Sequence, residues 1–216
     1  MKTKFLFSIL LLTILITFTS CASKEPAPPR ERDETFIADI DSFKVDDFHL
    51  YAAFGINKPK IQDFTVYFSP RTNNIYFKGR VGIDFVQAVF SYNERIKILE
   101  AKEKYIIDYT EKSFPKEKPN KKNAYCIGNT TVSWGSIGLG HEVDTIYMTN
   151  VQSILDNKPY FRILFEQAKE EIDDGVSSPR FSIYISPAQW ENIIEACNQQ
   201  ALEARCDEIL AEADAF

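Results

Sequence analysis

The chain has 216 residues, of which 44% are hydrophobic and 26% are charged, and this composition argues against a disordered protein and suffices for one domain with a buried core. Its formal net charge of −6 argues against nucleic acid as the main partner, because phosphate binding requires a cationic surface. We therefore expect a globular protein that does not bind nucleic acid, with residues 36–216 as a single domain.

The first 20 residues have the three parts of an export signal. Residues 1–4 are positively charged, and residues 5–18 form an apolar run that is shorter than the roughly 20 residues that a membrane-spanning helix needs. Small residues then precede Cys21. We expect residues 1–20 to be a signal peptide. An ordinary secretory signal with an incidental cysteine, or a retained membrane anchor, is the alternative.

The sequence around Cys21 resembles the signal of bacterial lipoproteins. The usual lipobox is Leu-(Ala/Ser)-(Gly/Ala)-Cys, and here Phe18, Thr19 and Ser20 precede Cys21, so that Phe18 departs from the common leucine. The resemblance implies cleavage before Cys21 and the attachment of fatty acyl chains such as palmitate to its sulfur and its new amino group. The protein would then be exported and anchored to a bacterial membrane, with the Pro- and charge-rich residues 21–35 as a tether.

The cysteine count agrees with a lipidated Cys21. The chain has four cysteines, and three remain if Cys21 carries lipid, so they cannot all pair within the chain. In an oxidising envelope one disulfide could join Cys126 to Cys197 or to Cys206. Cys197 and Cys206 should not pair, because they face opposite sides of one predicted helix.

Strands and then a helix are predicted for the first half of the folded part. Residues 42–54, where the register is mixed, are expected to form a strand or a short irregular pair, and strands are expected at residues 63–69 and 75–90. Gly79 and Gly82 suggest a bulge or a break within the last of these. Ser91 and Glu94 have the spacing of a capping box and predict a helix that runs to about Glu111.

The second half repeats this order. Strands are predicted at residues 130–137, 142–151, 159–168 and 180–186. Ser186 and Gln189 have the spacing of a second capping box, with Pro187 in the first turn, and predict a helix to near the end of the chain. A duplication with halves at residues 36–122 and 123–216 would explain this order, and chance similarity of capped helices explains it equally well.

The predicted fold is α+β, an antiparallel β-sheet with two main helices packed on one face. If the duplication is real, we expect the chain to consist of two repeated ββ(β)βα halves. Each helix has an apolar face that should be buried on the sheet. These faces consist of Ile98, Leu99, Tyr105 and Ile106 in the first helix, and of Trp190, Ile193, Ile194 and Cys197 in the second.

Short motifs in the second half resemble exported lipoproteins of spirochaetes whose function is uncharacterised. The residues that carry this likeness are Ala124-Tyr125, Trp134, Pro159-Tyr160-Phe161 and Ser186-Pro187-Ala188-Gln189. The resemblance covers about the last half of the chain. It implies a location in the envelope and supplies no catalytic residues.

Residues with the spacing of a known catalytic site are scarce. No G-x-S-x-G motif places a serine nucleophile. Cys126 and His141 could form a thiol–imidazole pair, although a packed cysteine and a loop histidine are favoured. His141, Glu142 and Asp144 are more typical of a solvated turn than of a metal site. We expect no metal, no other cofactor and no enzymatic activity.

Tyrosines in the predicted strands are the candidate binding residues. Tyr67, Tyr76, Tyr147 and Tyr184 would form a binding surface if they share an exposed face, with core or cross-strand packing as the alternative. The leading hypothesis is a non-enzymatic envelope module, held at the membrane by lipid on Cys21, that binds a protein or an envelope component. A membrane-tethered hydrolase of envelope polymers and a structural lipoprotein are the alternatives, and a polar pocket uniting Cys126 and His141 would favour the hydrolase.

Overall fold

The structure is a computed structural model that describes residues 35–81, 84–136, 139–154, 157–169 and 176–214. The chain divides into two units, Met1–Asp33 and Glu34–Phe216, and all described residues belong to the second. The predicted signal peptide, Cys21 and all of the predicted tether except Thr35 lie outside the described residues.

Eight antiparallel strands in the described part of the chain form a closed barrel, in which each strand pairs with the next. They are β1 (Phe43–Phe54), β2 (Lys60–Ser69), β3 (Asn74–Val81), β4 (Asp84–Phe90), β5 (Cys126–Ser136), β6 (Leu139–Ser153), β7 (Pro159–Phe165) and β8 (Phe181–Ile185). The barrel closes because β8 pairs back with β1. This seam consists of four residue pairs, from Tyr51 with Tyr184 to Phe54 with Phe181.

Inward side chains alternate with outward ones along each strand and fill the barrel. Buried residues of this kind are Phe64, Val66 and Phe68 in β2, Phe161, Ile163 and Phe165 in β7, and Phe181, Ile183 and Ile185 in β8. The rings of Phe165 and Phe181 stack with centroids 4.1 Å apart. Gly79 faces Phe64 across the strands, where an added Cβ would lie 2.7 Å from the ring, so this position requires glycine.

The helices are α1 (Tyr92–Glu111), α2 (Pro187–Cys197) and α3 (Gln199–Asp214). The structure confirms that α1 follows Ser91 and that α2 follows Ser186 with a complete capping box. The single helix predicted for the C-terminal region is broken at Asn198, whose backbone is extended, so Cys197 and Cys206 lie on different helices. None of the described helices combines the length and the apolar character that crossing a bilayer demands.

The predicted packing of two helices on one face of a sheet is wrong, because the sheet closes into a barrel. Phe161, an inward residue of β7, contacts Tyr105 of α1 and Trp190 of α2, with ring centroids 5.5 and 5.2 Å apart. The helices therefore lie outside the barrel and pack against its inward residues at one end. Of the predicted helix faces, α1 buries Ile98 and Tyr105 but leaves Leu99 exposed, and α2 buries Trp190 and Ile193.

Four strands and at least one helix come from each half of the described chain. β1–β4 precede α1, and β5–β8 precede α2 and α3. All eight strands nevertheless share one barrel, so neither half encloses a core of its own. Whether the halves arose by duplication stays a prediction.

Candidate functional site

A cavity of about 380 Å³ lies between α1, α2 and the adjoining end of the barrel. Its barrel wall consists of inward side chains of four strands, namely Ile75, Phe77, Phe90, Ile163, Ile183 and Ile185. The helices add apolar side chains from the other side, among them Ile98, Trp190 and Ile193. The volume is within the usual range of small-ligand sites, and the mouth of a barrel is a common place for them.

The rim of the cavity is polar where α2 ends and α3 begins. Asn198, Gln199 and Gln200 line this side, next to Cys197. Burial raises the pKa of the Cys197 thiol to about 12, so the thiol stays protonated at neutral pH. The cavity therefore combines an apolar interior with an uncharged polar edge.

Arg95, at the start of α1, is held in a fixed position at the cavity wall. Its Nη2 atom donates hydrogen bonds to the backbone oxygen and to Oδ1 of Asn73, at 3.0 and 2.6 Å. Its guanidinium also lies over the rings of Phe68 and Tyr92, 5.8 and 5.5 Å from their centroids. Asn73 is buried in the turn between β2 and β3, with a left-handed φ of 51°. The Arg95 guanidinium and its partner Asn73 are therefore both held in place.

The charge of Arg95 has no carboxylate partner among the described residues. Among the described residues, the Arg95 side chain forms two hydrogen bonds, both to Asn73, and no ion pair. Its Nε is buried and forms no hydrogen bond with a described residue. Burial lowers the pKa of Arg95 to about 10. Among the described lining residues, Arg95 is the one with a charged side chain. The cavity therefore contains one uncompensated cation.

Glu94 precedes Arg95 but is directed to other partners. Its Oε2 accepts a hydrogen bond from the Tyr147 hydroxyl at 2.7 Å, and its Oε1 accepts one from Lys97 at 2.7 Å. The Glu94 backbone N–H bonds to Ser91 as predicted, whereas its carboxylate does not complete the expected capping box. Burial raises the pKa of Tyr147, and the bond to Glu94 adds to this effect.

Gly128 makes room for the hydrogen bond between Glu94 and Tyr147. A Cβ at this position would lie 2.0 Å from Glu94 Oε2 and 2.5 Å from the Tyr147 hydroxyl. Both distances are far below van der Waals contact. The close approach of these two side chains therefore depends on glycine in β5.

The four tyrosines that the sequence suggested do not form one surface. Tyr67 and Tyr76 are direct cross-strand neighbours on the outside of the barrel and are half-buried. Tyr147 points into the barrel and is fully buried. Tyr184 pairs with Tyr51 at the seam and is also buried. Two of the four residues therefore cannot serve as an exposed binding face.

Cys126 and His141 lie at opposite ends of the hairpin of β5 and β6. Cys126 is paired with Thr149, and His141 is paired with Trp134. The Cys126 thiol accepts a hydrogen bond from Thr149, while the His141 ring stacks on Trp134. Eight residues along the strand separate the two positions, or about 27 Å at the usual rise. The thiol–imidazole pair is therefore not formed by these residues.

The structure has Cys126, Cys197 and Cys206 as free thiols. Cys126 lies in β5, and Cys197 lies at the end of α2 beside the cavity. The disulfide suggested between Cys126 and Cys197 or Cys206 is therefore absent from this structure. Within the described ranges, no cluster of metal-binding side chains occurs either.

Arg95 is the site residue that sequence reasoning missed. An arginine in the first turns of a helix is usually solvated, and nothing in its immediate neighbours argued otherwise. The available signal was its spacing, three residues after Tyr92 and three before Ile98, which places it within an apolar stripe. A charge inside such a stripe indicates a cation that is at least partly buried.

Comparisons with other proteins give a family and no activity. A protein of Treponema pallidum (strain Nichols), described as uncharacterized, is 26% identical over 157 residues, which are 72% of this chain and 56% of that protein. The chain thus spans little more than half of that relative's length. No solved structure matches the chain. The predicted likeness to spirochaete proteins of uncharacterised function is confirmed, because residues 30–204 match the family described as "Uncharacterised Treponema protein", and the chain belongs to that family.

Proposed function

We propose that the protein is a lipid-anchored, non-enzymatic binding module of the bacterial envelope, and that it holds a small apolar molecule in the cavity between α1, α2 and the barrel. The cavity carries this proposal. An eight-stranded barrel is just wide enough to be filled by side chains or to hold one small ligand. Here side chains fill the barrel, and the space of about 380 Å³ lies where the helices meet its end.

The envelope location is supported by the N-terminal sequence. Residues 5–18 form the apolar run of an export signal, and Cys21 follows a lipobox-like stretch. Replacing Cys21 with Ala should reduce the fraction of protein that carries lipid and sediments with membranes from intact cells. Unchanged lipid content and membrane binding in this variant would overturn the anchor.

The two tryptophans of the chain allow the cavity to be tested directly. Trp190 lines the cavity, while Trp134 lies in β5 among residues that line a different depression. We would place the full chain in phosphatidylcholine nanodiscs, which avoids free detergent that would compete for an apolar site. Dibrominated 18-carbon acid and alcohol would be added, because bromine quenches a nearby indole. The variant Trp134→Phe reports on Trp190, and Trp190→Phe reports on Trp134.

Saturable quenching is expected from the Trp134→Phe protein and not from the Trp190→Phe protein. Ile194→Phe fills part of the cavity and should weaken this binding. Ile107→Phe is its matched control, because Ile107 is exposed on α1 and does not belong to the cavity wall. Absence of saturable quenching of Trp190 by both probes would overturn the proposed function and would leave a structural role.

A further inference from the structure

Arg95 is a partly buried cation that an accompanying anion would stabilise. Partial burial removes some of the water that would stabilise its charge, and none of the described carboxylates forms an ion pair with it. It also lies near the N-terminus of α1, where the helix dipole is positive. The adjacent Glu94 is directed elsewhere, because its carboxylate oxygens accept hydrogen bonds from Tyr147 and Lys97.

The guanidinium is nevertheless fixed and still has hydrogen-bond donors to offer. An arginine side chain has five N–H groups, and the two N–H groups on Nη2 of Arg95 donate to Asn73. The described part of the chain supplies no acceptor for Nε or Nη1. Stacking on Phe68 and Tyr92 restrains the plane of the group. Little side-chain entropy would therefore be lost when an anion binds.

We propose that the ligand of this cavity is an amphiphile with one anionic head group, which the guanidinium of Arg95 binds while the apolar tail lies against the isoleucines and Trp190. This inference rests on the proposed function, since it names the class of molecule that the same cavity holds. The apolar wall alone would accept a neutral molecule equally well. The unpaired charge of Arg95 would favour an anionic ligand over a neutral one.

The two brominated probes separate these cases, because they share a tail and differ only in the head group. At pH 8 the acid carries a charge and the alcohol does not. At equal mole fractions in the nanodisc, the Trp134→Phe protein should bind the acid about tenfold more tightly than the alcohol, as expected for a hydrogen bond to a charged group. Competition by octadecyl phosphate and by octadecanoic acid would then distinguish a phosphate head from a carboxylate.

Arg95→Met should abolish the preference for the acid without weakening the binding of the alcohol, a separation that a merely structural role of Arg95 would not produce. Arg95→Gln is the second variant, because it lacks the charge but keeps a donor for the Asn73 oxygen, and the same loss is expected from it. Arg80→Met removes an exposed arginine of β3 outside the cavity and should leave the preference unchanged.

The outcomes separate this inference from the proposed function. Equal, saturable binding of acid and alcohol would overturn the anionic head group and would leave the apolar ligand standing. Retention of the preference in both Arg95 variants would also overturn it. If neither probe quenches Trp190, both the inference and the proposed function fail.

Discussion

α1 and α2 begin with the same sequence signature and use it in different ways. Ser91 and Ser186 both cap their helix by accepting a hydrogen bond from the backbone N–H three residues later. In α2 the Gln189 side chain returns the bond, with Oε1 accepting from the Ser186 N–H at 2.9 Å. In α1 the Glu94 carboxylate turns away to the hydroxyl of Tyr147.

The difference is explained by the donors within reach of each side chain. The Glu94 side chain is only 12% exposed, and its Oε2 is the nearest acceptor for the buried Tyr147 hydroxyl among the described residues, at 2.7 Å against 3.5 Å for the Glu94 backbone oxygen. A hydrogen bond to a carboxylate is about twice as strong as a neutral one, so it outweighs a cap on the backbone. The Gln189 side chain instead accepts from the Ser186 N–H through Oε1 and donates to the His49 backbone oxygen at 2.9 Å.

Among the variants that test the difference between α1 and α2, Gly128→Ala should have the largest effect on stability. The new Cβ would overlap both Glu94 and Tyr147, which must then separate. We expect the free energy of unfolding to fall by about 3 kcal/mol, from overpacking and the lost hydrogen bond together. Denaturant unfolding followed by circular dichroism measures this. Gly140→Ala is the control, because a Cβ there meets nothing within 4 Å. Equal stability of the two variants would contradict the proposed role of Gly128.

Glu94→Ala should destabilise the protein by about 2 kcal/mol, because it leaves the Tyr147 hydroxyl buried without its acceptor. Tyr147→Phe removes the donor instead. The double variant should be less destabilised than the sum of the two single variants, and a double-mutant cycle from urea titrations gives the coupling energy. A coupling near zero would show that the Glu94–Tyr147 bond contributes nothing.

Gln189→Ala should cost about 1 kcal/mol, the usual value of a helix-capping interaction. Its effect should therefore be smaller than that of Glu94→Ala, although the two residues occupy the same position in their helices. The same urea titrations measure it. A loss larger than that of Glu94→Ala would reverse the order that the buried hydroxyl predicts.

The contribution of Cys197, at the end of α2, to stability should depend on pH only above about pH 9. Burial raises the pKa of its thiol from 9.0 to about 12, so the folded state favours the protonated form. This stabilisation is fully present below pH 9 and is lost as the pH rises from 9 towards 12. The difference in unfolding free energy between wild type and Cys197→Ala should therefore decrease over that range. A difference independent of pH would contradict the shift.

Much of the local structure could be predicted from the sequence. The predicted strands at residues 63–69 and 142–151 correspond to β2 and β6, and the caps at Ser91 and Ser186 mark α1 and α2. Alternation and capping are local signals, and they located these elements, although not the break at Asn198.

The closure of the sheet could not be predicted in this way. Alternation shows which side chains share a face of a strand, but it does not indicate whether the first and last strands pair with each other. For the same reason, the sequence could not show that Tyr147 points into a barrel. Arg95 and Glu94 were equally hidden, since their burial depends on β-strands that are distant in sequence.

The seam between β1 and β8 has a consequence for the time course of folding. Its four residue pairs join the two strands that are farthest apart along the chain, and β8 has only five residues. Every other pairing joins strands that are consecutive in sequence. The entropy cost of closing the loop is therefore greatest for this pair of strands. Its four residue pairs also provide the fewest backbone hydrogen bonds to offset that cost. We expect the chain to pass through an open, curved sheet, and we expect β8 to join β1 in the last step.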